Sequence, residues 1–198
     1  MFTGIITHRG EFGGYRRGRQ ELLLEAPELV LKLHPGDSIA VNGVCLSLAG
    51  AENDVLRFNL SRETLERTNL GTLKPREWLN LELPLTLSAP LGGHLVSGHV
   101  DAVGKVLRMQ DRRPGRRMTI SYPLDLRPFL VPKGSVAANG VSLTIAALAP
   151  SSMDIELIPL TLERTNLGAL HAGASVNLEC DMIGKYVYNW LVNQRKTG

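Results

Sequence analysis

Hydrophobic and polar positions alternate with a period of two along much of the chain. Ser38-Ile39-Ala40-Val41, Val44-Cys45-Leu46-Ser47-Leu48, Val55-Leu56-Arg57-Phe58 and Trp78-Leu79-Asn80-Leu81-Glu82-Leu83 each place most of their apolar residues on one side of an extended segment. That is the pattern of short strands with one face turned to a core. Asn42-Gly43 and Asn139-Gly140 separate such runs, and because both residue types tolerate positive φ, each pair predicts a tight hairpin. One short helix is predicted per half. It opens at the capping Ser61 of Ser61-Arg62-Glu63-Thr64-Leu65 and at the N-terminal proline of Pro159-Leu160-Thr161-Leu162, with Gly71 and Gly168 expected to end it. After Asp181, a fitting N-cap, Ile183, Tyr186, Val187, Trp190 and Leu191 recur at helical spacing. This last helix carries an apolar stripe that buries either against copies of itself or on the preceding domain.

The chain also repeats itself. Thr64-Leu-Glu-Arg-Thr-Asn-Leu-Gly71 recurs letter for letter as Thr161 to Gly168, an offset of 97 residues. Asn42 to Ser47 matches Asn139 to Thr144 at the same offset, as Asn80-Leu-Glu82 matches Asn177-Leu-Glu179. Thr3-Gly4 pairs with Ser97-Gly98 at an offset of 94, so a three-residue length difference is expected in the loops between. The reading is two homologous domains, 1–96 and 97–181, followed by a helix and tail at 182–198. Six or so strands and one short helix per half imply an all-β fold of two tandem six-stranded barrels, since closure removes the exposed edges that short strands would leave.

Composition narrows the class. Hydrophobic residues make up 43% of the 198 and charged residues 21%, with no apolar run long enough for a membrane helix. Twenty-two basic residues face 19 acidic ones, and much of the excess sits in two arginine clusters, at 16–19 and 112–117, without interleaved aromatics. Solvated loops fit these clusters better than a nucleic-acid surface. Two cysteines cannot build a disulfide framework, and the N-terminus lacks a signal-peptide pattern, so a reduced, cytoplasmic protein is expected.

Two copies of one scaffold suggest two similar ligands held by equivalent residues, and the copies must differ where the chemistry differs. Cys45 stands opposite Ser142, and Ser47 opposite Thr144, which leaves the only thiol of the repeat blocks in the first copy. A thiolate is the stronger nucleophile, although a cysteine in an alternating strand is ordinarily a small buried hydrophobe. His99, in Gly92-Gly93-His94-Leu95-Val96-Ser97-Gly98-His99, stands where the first copy has Ile5, and is a candidate proton carrier. Lys133 replaces Gly36, and Leu160 replaces Glu63. No zinc spacing, phosphate loop or Ser-His-Asp order is found, so no cofactor is expected.

These blocks together, from Met1-Phe2-Thr3-Gly4-Ile5 through Gly36-Asp-Ser38 and Val44-Cys45-Leu46 to Gly140-Val-Ser142-Leu143-Thr144, resemble the riboflavin synthase family over nearly the whole chain. The resemblance implies Greek-key barrels, a C-terminal helix that holds a homotrimer, and catalysis between the N-terminal barrel of one subunit and the C-terminal barrel of its neighbour. It implies dismutation of two 6,7-dimethyl-8-ribityllumazine molecules to riboflavin and 5-amino-6-(D-ribitylamino)uracil, without metal or redox cofactor, and association with lumazine synthase. Carried over by position, substrate-binding segments fall in the first barrel on Phe2, Thr3, Gly4, Ile5 and Ile6, on Cys45, Leu46 and Ser47, and on Asn59, Leu60, Ser61, Arg62, Glu63 and Thr64. In the second they fall on Gly98, His99 and Val100, on Lys133, on Ser142, Leu143 and Thr144, and on Leu157, Ile158, Pro159, Leu160, Thr161 and Leu162. Cys45 and Ser38 are expected near the reacting carbons, with His99 and Thr144 from the partner barrel moving protons. Asn139, often Asp in the family, and Leu160, usually polar, are expected to weaken the polar contacts of the C-terminal pocket. Non-catalytic lumazine and flavin antenna proteins share the scaffold, which keeps a pure binding module as the alternative.

Overall fold

The computed structural model describes residues 1–194, so the last four residues of the expected helix and tail at 182–198 lie outside the described residues. Strands β1 (His8–Arg16), β2 (Glu21–Glu25), β3 (Ser38–Val41), β4 (Val44–Glu52), β5 (Val55–Asn59) and β6 (Trp78–Glu82) close an antiparallel barrel in the order β1-β2-β5-β4-β3-β6. Strands β7 (Ala102–Arg112), β8 (Gly115–Ser121), β9 (Ser135–Ala138), β10 (Val141–Leu148), β11 (Ser152–Leu157) and β12 (Ser175–Cys180) close a second in the order β10-β11-β8-β7-β12-β9. The fold is the expected pair of barrels. Each has its own core, led by Leu22, Ile39, Leu56 and Phe58 in the first and by Met118, Ile120, Val136 and Ile155 in the second. The alternating pattern supplies these residues from one side of every strand, leaving Cys45 and Ser47, or Ser142 and Thr144, on the outer face.

The Asn-Gly pairs turn the hairpins as expected. Asn42 and Gly43 have φ of 47° and 76°, and Asn139 and Gly140 have 46° and 77°, positive at both central positions as a type I′ turn requires. The two turns abut: a Cβ on Gly43 would lie 2.6 Å from the Gly140 backbone nitrogen. Helices α1 (Pro27–Val30), α2 (Arg62–Arg67), α3 (Pro159–Arg164) and α4 (Met182–Gln194) complete the described elements with three 3-10 turns at Asn69–Gly71, Leu124–Phe129 and Asn166–Ala169. Helix α1, about one turn long, and the Leu124–Phe129 segment, about two 3-10 turns, are too short to show a helical period in the sequence. No helix of the described residues is long and apolar enough to cross a membrane.

Two expectations change. Helices α2 and α3 end before the glycines, at Thr68 and Thr165, whose hydroxyls donate to the carbonyls of Thr64 (2.7 Å) and Thr161 (2.6 Å) and accept from the amides of Leu70 and Leu167. Gly71 and Gly168 sit in the following 3-10 turns, where a Cβ would run into the carbonyl oxygens of Leu65 and Leu162. The extra length of the second half lies largely in strands rather than loops: β7 and β8 have 11 and 7 residues against 9 and 5 for β1 and β2, while the connecting turn is shorter.

The barrels join about a pseudo-twofold axis. Six asparagines, Asn42, Asn69, Asn80, Asn139, Asn166 and Asn177, are buried there and bond reciprocally. Asn69 Nδ2 donates to Asn139 Oδ1 at 2.9 Å while Asn166 Nδ2 donates to Asn42 Oδ1 at 3.0 Å, and the Asn80 and Asn177 amides donate to the Asn139 and Asn42 carbonyls, each at 2.9 Å. Buried amides require such complete pairing. Phe2 and Val96 exchange backbone hydrogen bonds on the same axis, packed with Ala40 and Ala137.

Candidate functional site

Two buried carboxylates set the geometry. Glu82, at the end of β6, accepts from Thr3 N (2.6 Å), Thr3 Oγ1 (2.7 Å) and Gly4 N (3.0 Å). Glu179, at the corresponding place in β12, accepts from Ser97 N (2.6 Å), Ser97 Oγ (2.7 Å) and Gly98 N (3.0 Å). Burial pushes the Glu82 carboxyl up, against the pull of the Thr3 and Gly4 donors. Each carboxylate thus clamps the segment that leads into its own half. That segment then crosses the axis and docks on the other barrel.

Gly98 O accepts from Cys45 N at 2.8 Å, and a Cβ on Gly98 would lie 2.5 Å from Cys45 Cβ. Gly4 O accepts from Ser142 N at 2.8 Å, with equally close packing on Ser142. Val100 packs against the core of the first barrel and Ile6 against that of the second. Gly98, His99 and Val100 therefore belong with Cys45, and Gly4, Ile5 and Ile6 with Ser142, the reverse of the expected grouping. Register within one half cannot reveal this, because the contacts are backbone to backbone.

Two equivalent outer faces result, each a shallow groove only in the sense that a leader segment and a short helix border its strands. In the first, Cys45 and Ser47 on β4 stand beside Ala40 and Ser38 on β3, with Cys45 half-buried against Gly98 and the adjacent His99 exposed. Strand β5 runs antiparallel to β4, and the chain beyond Asn59 leads into α2, where Ser61 Oγ accepts from Thr64 N at 3.0 Å. Arg62 pairs with Glu66 at 2.7 Å, and Glu63 lies 3.9 Å from Arg67, both at the surface. In the second groove, Ser142 and Thr144 on β10 stand beside Ala137 and Ser135 on β9. Exposed Ile5, Ile158 and Leu160 replace His99, Ser61 and Glu63, so this groove is the more apolar one. Pro159 and Thr161 belong to its helix α3, and Lys133 holds a φ of 66° with its amide on Ile145 O at 2.8 Å. Its counterpart is Gly36, at a φ of 96°, with its amide on Leu48 O; the second copy thus keeps a lysine in a backbone conformation that favours glycine.

Several expected site residues turn inward. Leu46 and Leu60 lie in the first core and Leu143 and Leu157 in the second, so only their backbone can face a ligand. Leu162 packs at the edge of the second core. Phe2 is fully buried on the axis, and Thr3 serves the Glu82 clamp. Asn139 is not a pocket residue: it is buried among the interface asparagines, with Oδ1 accepting from Asn177 N and Asn69 Nδ2, each at 2.9 Å. Cys180 is buried, its thiol pushed up to about 12 by burial and the nearby Asp101, and it stays protonated.

Sequence reasoning missed His94, Glu82 and Glu179. The two glutamates stood in a repeated block, and His94 followed a double glycine, but neither signal named a role. His94 is buried, with Nδ1 2.7 Å from Ser142 Oγ, and burial holds its pKa below the ordinary histidine value, opposed by the Asp181 charge. Among the described residues no cluster of His, Cys, Asp or Glu could hold a metal ion. Two mixed-charge cavities, of about 800 and 610 Å³, flank Trp78 between the barrels, and neither contains Cys45 or Ser142.

This architecture of two equivalent grooves defines a tandem lumazine-binding protein: the lumazine binding domain model matches residues 3–84 and again 97–181. The fold superposes on the crystal structure of LumP complexed with riboflavin with a TM-score of 0.84, at 23% identity over 91% of this chain and 99% of that one. Full-length relatives are more similar in sequence. Riboflavin synthase of Mycobacterium tuberculosis is 39% identical over 94% of this chain and 96% of the relative, and that of Bacillus subtilis is 36% identical over 100% and 94%. The chain belongs to the riboflavin synthase family.

Proposed function

We propose that the protein is an enzyme that converts two molecules of 6,7-dimethyl-8-ribityllumazine into riboflavin and 5-amino-6-(D-ribitylamino)uracil by moving a four-carbon unit from one to the other, the last step of riboflavin biosynthesis. The observation that carries this reading is the pair of equivalent grooves with unequal side chains. A reaction between two identical molecules needs two like binding surfaces, and a donor and an acceptor need different chemistry beside them. The first groove supplies Cys45, Ser38, Ser47 and His99, and the second Ser142, Thr144 and Lys133. The site is completed when the first groove of one subunit, in residues 1–96, faces the second groove of a neighbour, in residues 97–181. Stacking the two rings in register supplies rate as proximity, worth up to about 7–11 kcal/mol in well-oriented cases.

In this reading Cys45 and Ser38 stand at the reacting carbons, while His99 and Thr144, from facing grooves, pass protons at the acidic methyl group. The Cys45 face and the His99 segment come from the same chain. The working form is a homotrimer held by α4, in the cytoplasm, able to associate with lumazine synthase. The test is to incubate the purified protein with the ribityllumazine alone and follow riboflavin by absorbance and chromatography. One riboflavin formed per two substrates consumed is expected. Tight binding without turnover would make the protein a ligand carrier of the antenna type instead.

A further inference from the structure

Within the second groove, Ser142 has a partner that Cys45 lacks. His94 is 8% exposed and its Nδ1 lies 2.7 Å from Ser142 Oγ, while its Nε2 is buried with no hydrogen-bond partner. The segment that carries the imidazole is held in place: the His94 backbone amide donates to Thr3 O at 3.1 Å. The preceding Gly93 lies so close that a Cβ there would fall 2.8 Å from Ser142 Cβ. In the first groove Cys45 stands at the place of Ser142, and among the described residues no histidine is hydrogen-bonded to it.

The orphaned nitrogen selects the tautomer. A buried N–H without an acceptor is rarer and costlier than a buried acceptor lacking a donor, so the ring proton belongs on Nδ1, where it meets Ser142 Oγ. With one lone pair occupied by that donor, the hydroxyl hydrogen of Ser142 is left to point into the groove. We infer that His94 is a positioning residue that makes Ser142 a fixed hydroxyl donor, so that the second groove reads a carbonyl oxygen of a planar ring while the Cys45 groove does not. The inference rests on the binding of lumazine-type rings proposed above. It gives the two grooves different hydrogen-bonding edges, which is how one of two identical substrates would be sorted from the other.

The test combines nitrogen NMR of the histidines with riboflavin titration of the full chain. The spectrum of the free protein should show His94 as the Nδ1–H tautomer; an Nε2–H ring overturns the inference. Wild-type protein should bind riboflavin in both grooves. His94→Ala and Ser142→Ala should each weaken one of the two sites by about tenfold, the scale of one hydrogen bond, and the double variant should be no weaker than either single one. His94→Asn, whose side-chain amide N–H occupies the place of Nδ1–H, should restore most of the affinity. Losses that add, or that fall equally on both grooves together with the unfolding midpoint, would mean that His94 is only a packing residue. If wild-type protein binds no riboflavin, the proposed function fails, and the tautomer alone then decides how Ser142 is held.

Discussion

Glu82 and Glu179 each hold a leader segment across the pseudo-twofold axis through three donors. Removing the carboxylate strands buried amides, and each stranded group costs roughly 1–3 kcal/mol. Glu82→Ala should therefore destabilise the protein by about 3 kcal/mol or more, and hydrogen exchange at Thr3 and Gly4 should accelerate before that of the β-barrel strands. His94 adds a pH dependence of known sign. Its pKa is depressed from 6.5 in the folded chain by burial, so the unfolded chain binds the proton more readily. The stability it contributes is complete above the unfolded value and is lost as pH falls through the folded one. Urea midpoints of wild type should fall between about pH 7.5 and about pH 5.5 by more than those of His94→Asn. A parallel decline in both proteins would assign the acid sensitivity to other groups.

Among the elements, the two equivalent helices test how much local signal matters. Helix α2 starts at Ser61, which accepts from Thr64 N at 3.0 Å, whereas α3 starts at Pro159 with no side-chain cap. Ser61→Ala should cost about 1 kcal/mol by urea denaturation, and Ile158→Ala, at the matching position, should show no cap loss. These starts were legible in the sequence because caps and prolines act within a few residues, as were the Asn-Gly turns. The helix ends were not: Thr68 and Thr165 take over the capping, and Gly71 and Gly168 are needed for a close approach to the preceding carbonyls. The crossing of the leader segments was equally hidden. Thr3-Gly4 and Ser97-Gly98 have nearly the same chemistry, and they reach Ser142 and Cys45 through main-chain atoms that no side-chain pattern specifies. The candidate residues of the site could thus be named, but not sorted into their grooves.

For the whole molecule, α4 carries the one apolar helix face of the described residues that neither barrel covers. Lys185 bonds Asp101 at 2.7 Å and Tyr188 packs edge-on to Phe129 at 5.1 Å, which fixes one side of the helix to the second barrel. The predicted stripe faces away from it, with Tyr186 74% and Trp190 62% exposed beside Ile183, Val187 and Leu191. Contiguous apolar residues of this size on a surface mark an association site, and their spacing of three and four residues suits packing of like helices. The protein should therefore sediment as a homo-oligomer, a trimer in the reading above. Substituting Tyr186→Ser with Trp190→Ser should shift it to a monomer without unfolding either barrel, since neither side chain belongs to the barrel cores. Because the proposed site joins the first groove of one chain to the second groove of another, the monomer should retain riboflavin binding and lose conversion of the lumazine. Full turnover by a monomer in sedimentation analysis would place both reacting molecules within one chain and overturn the facing-groove arrangement.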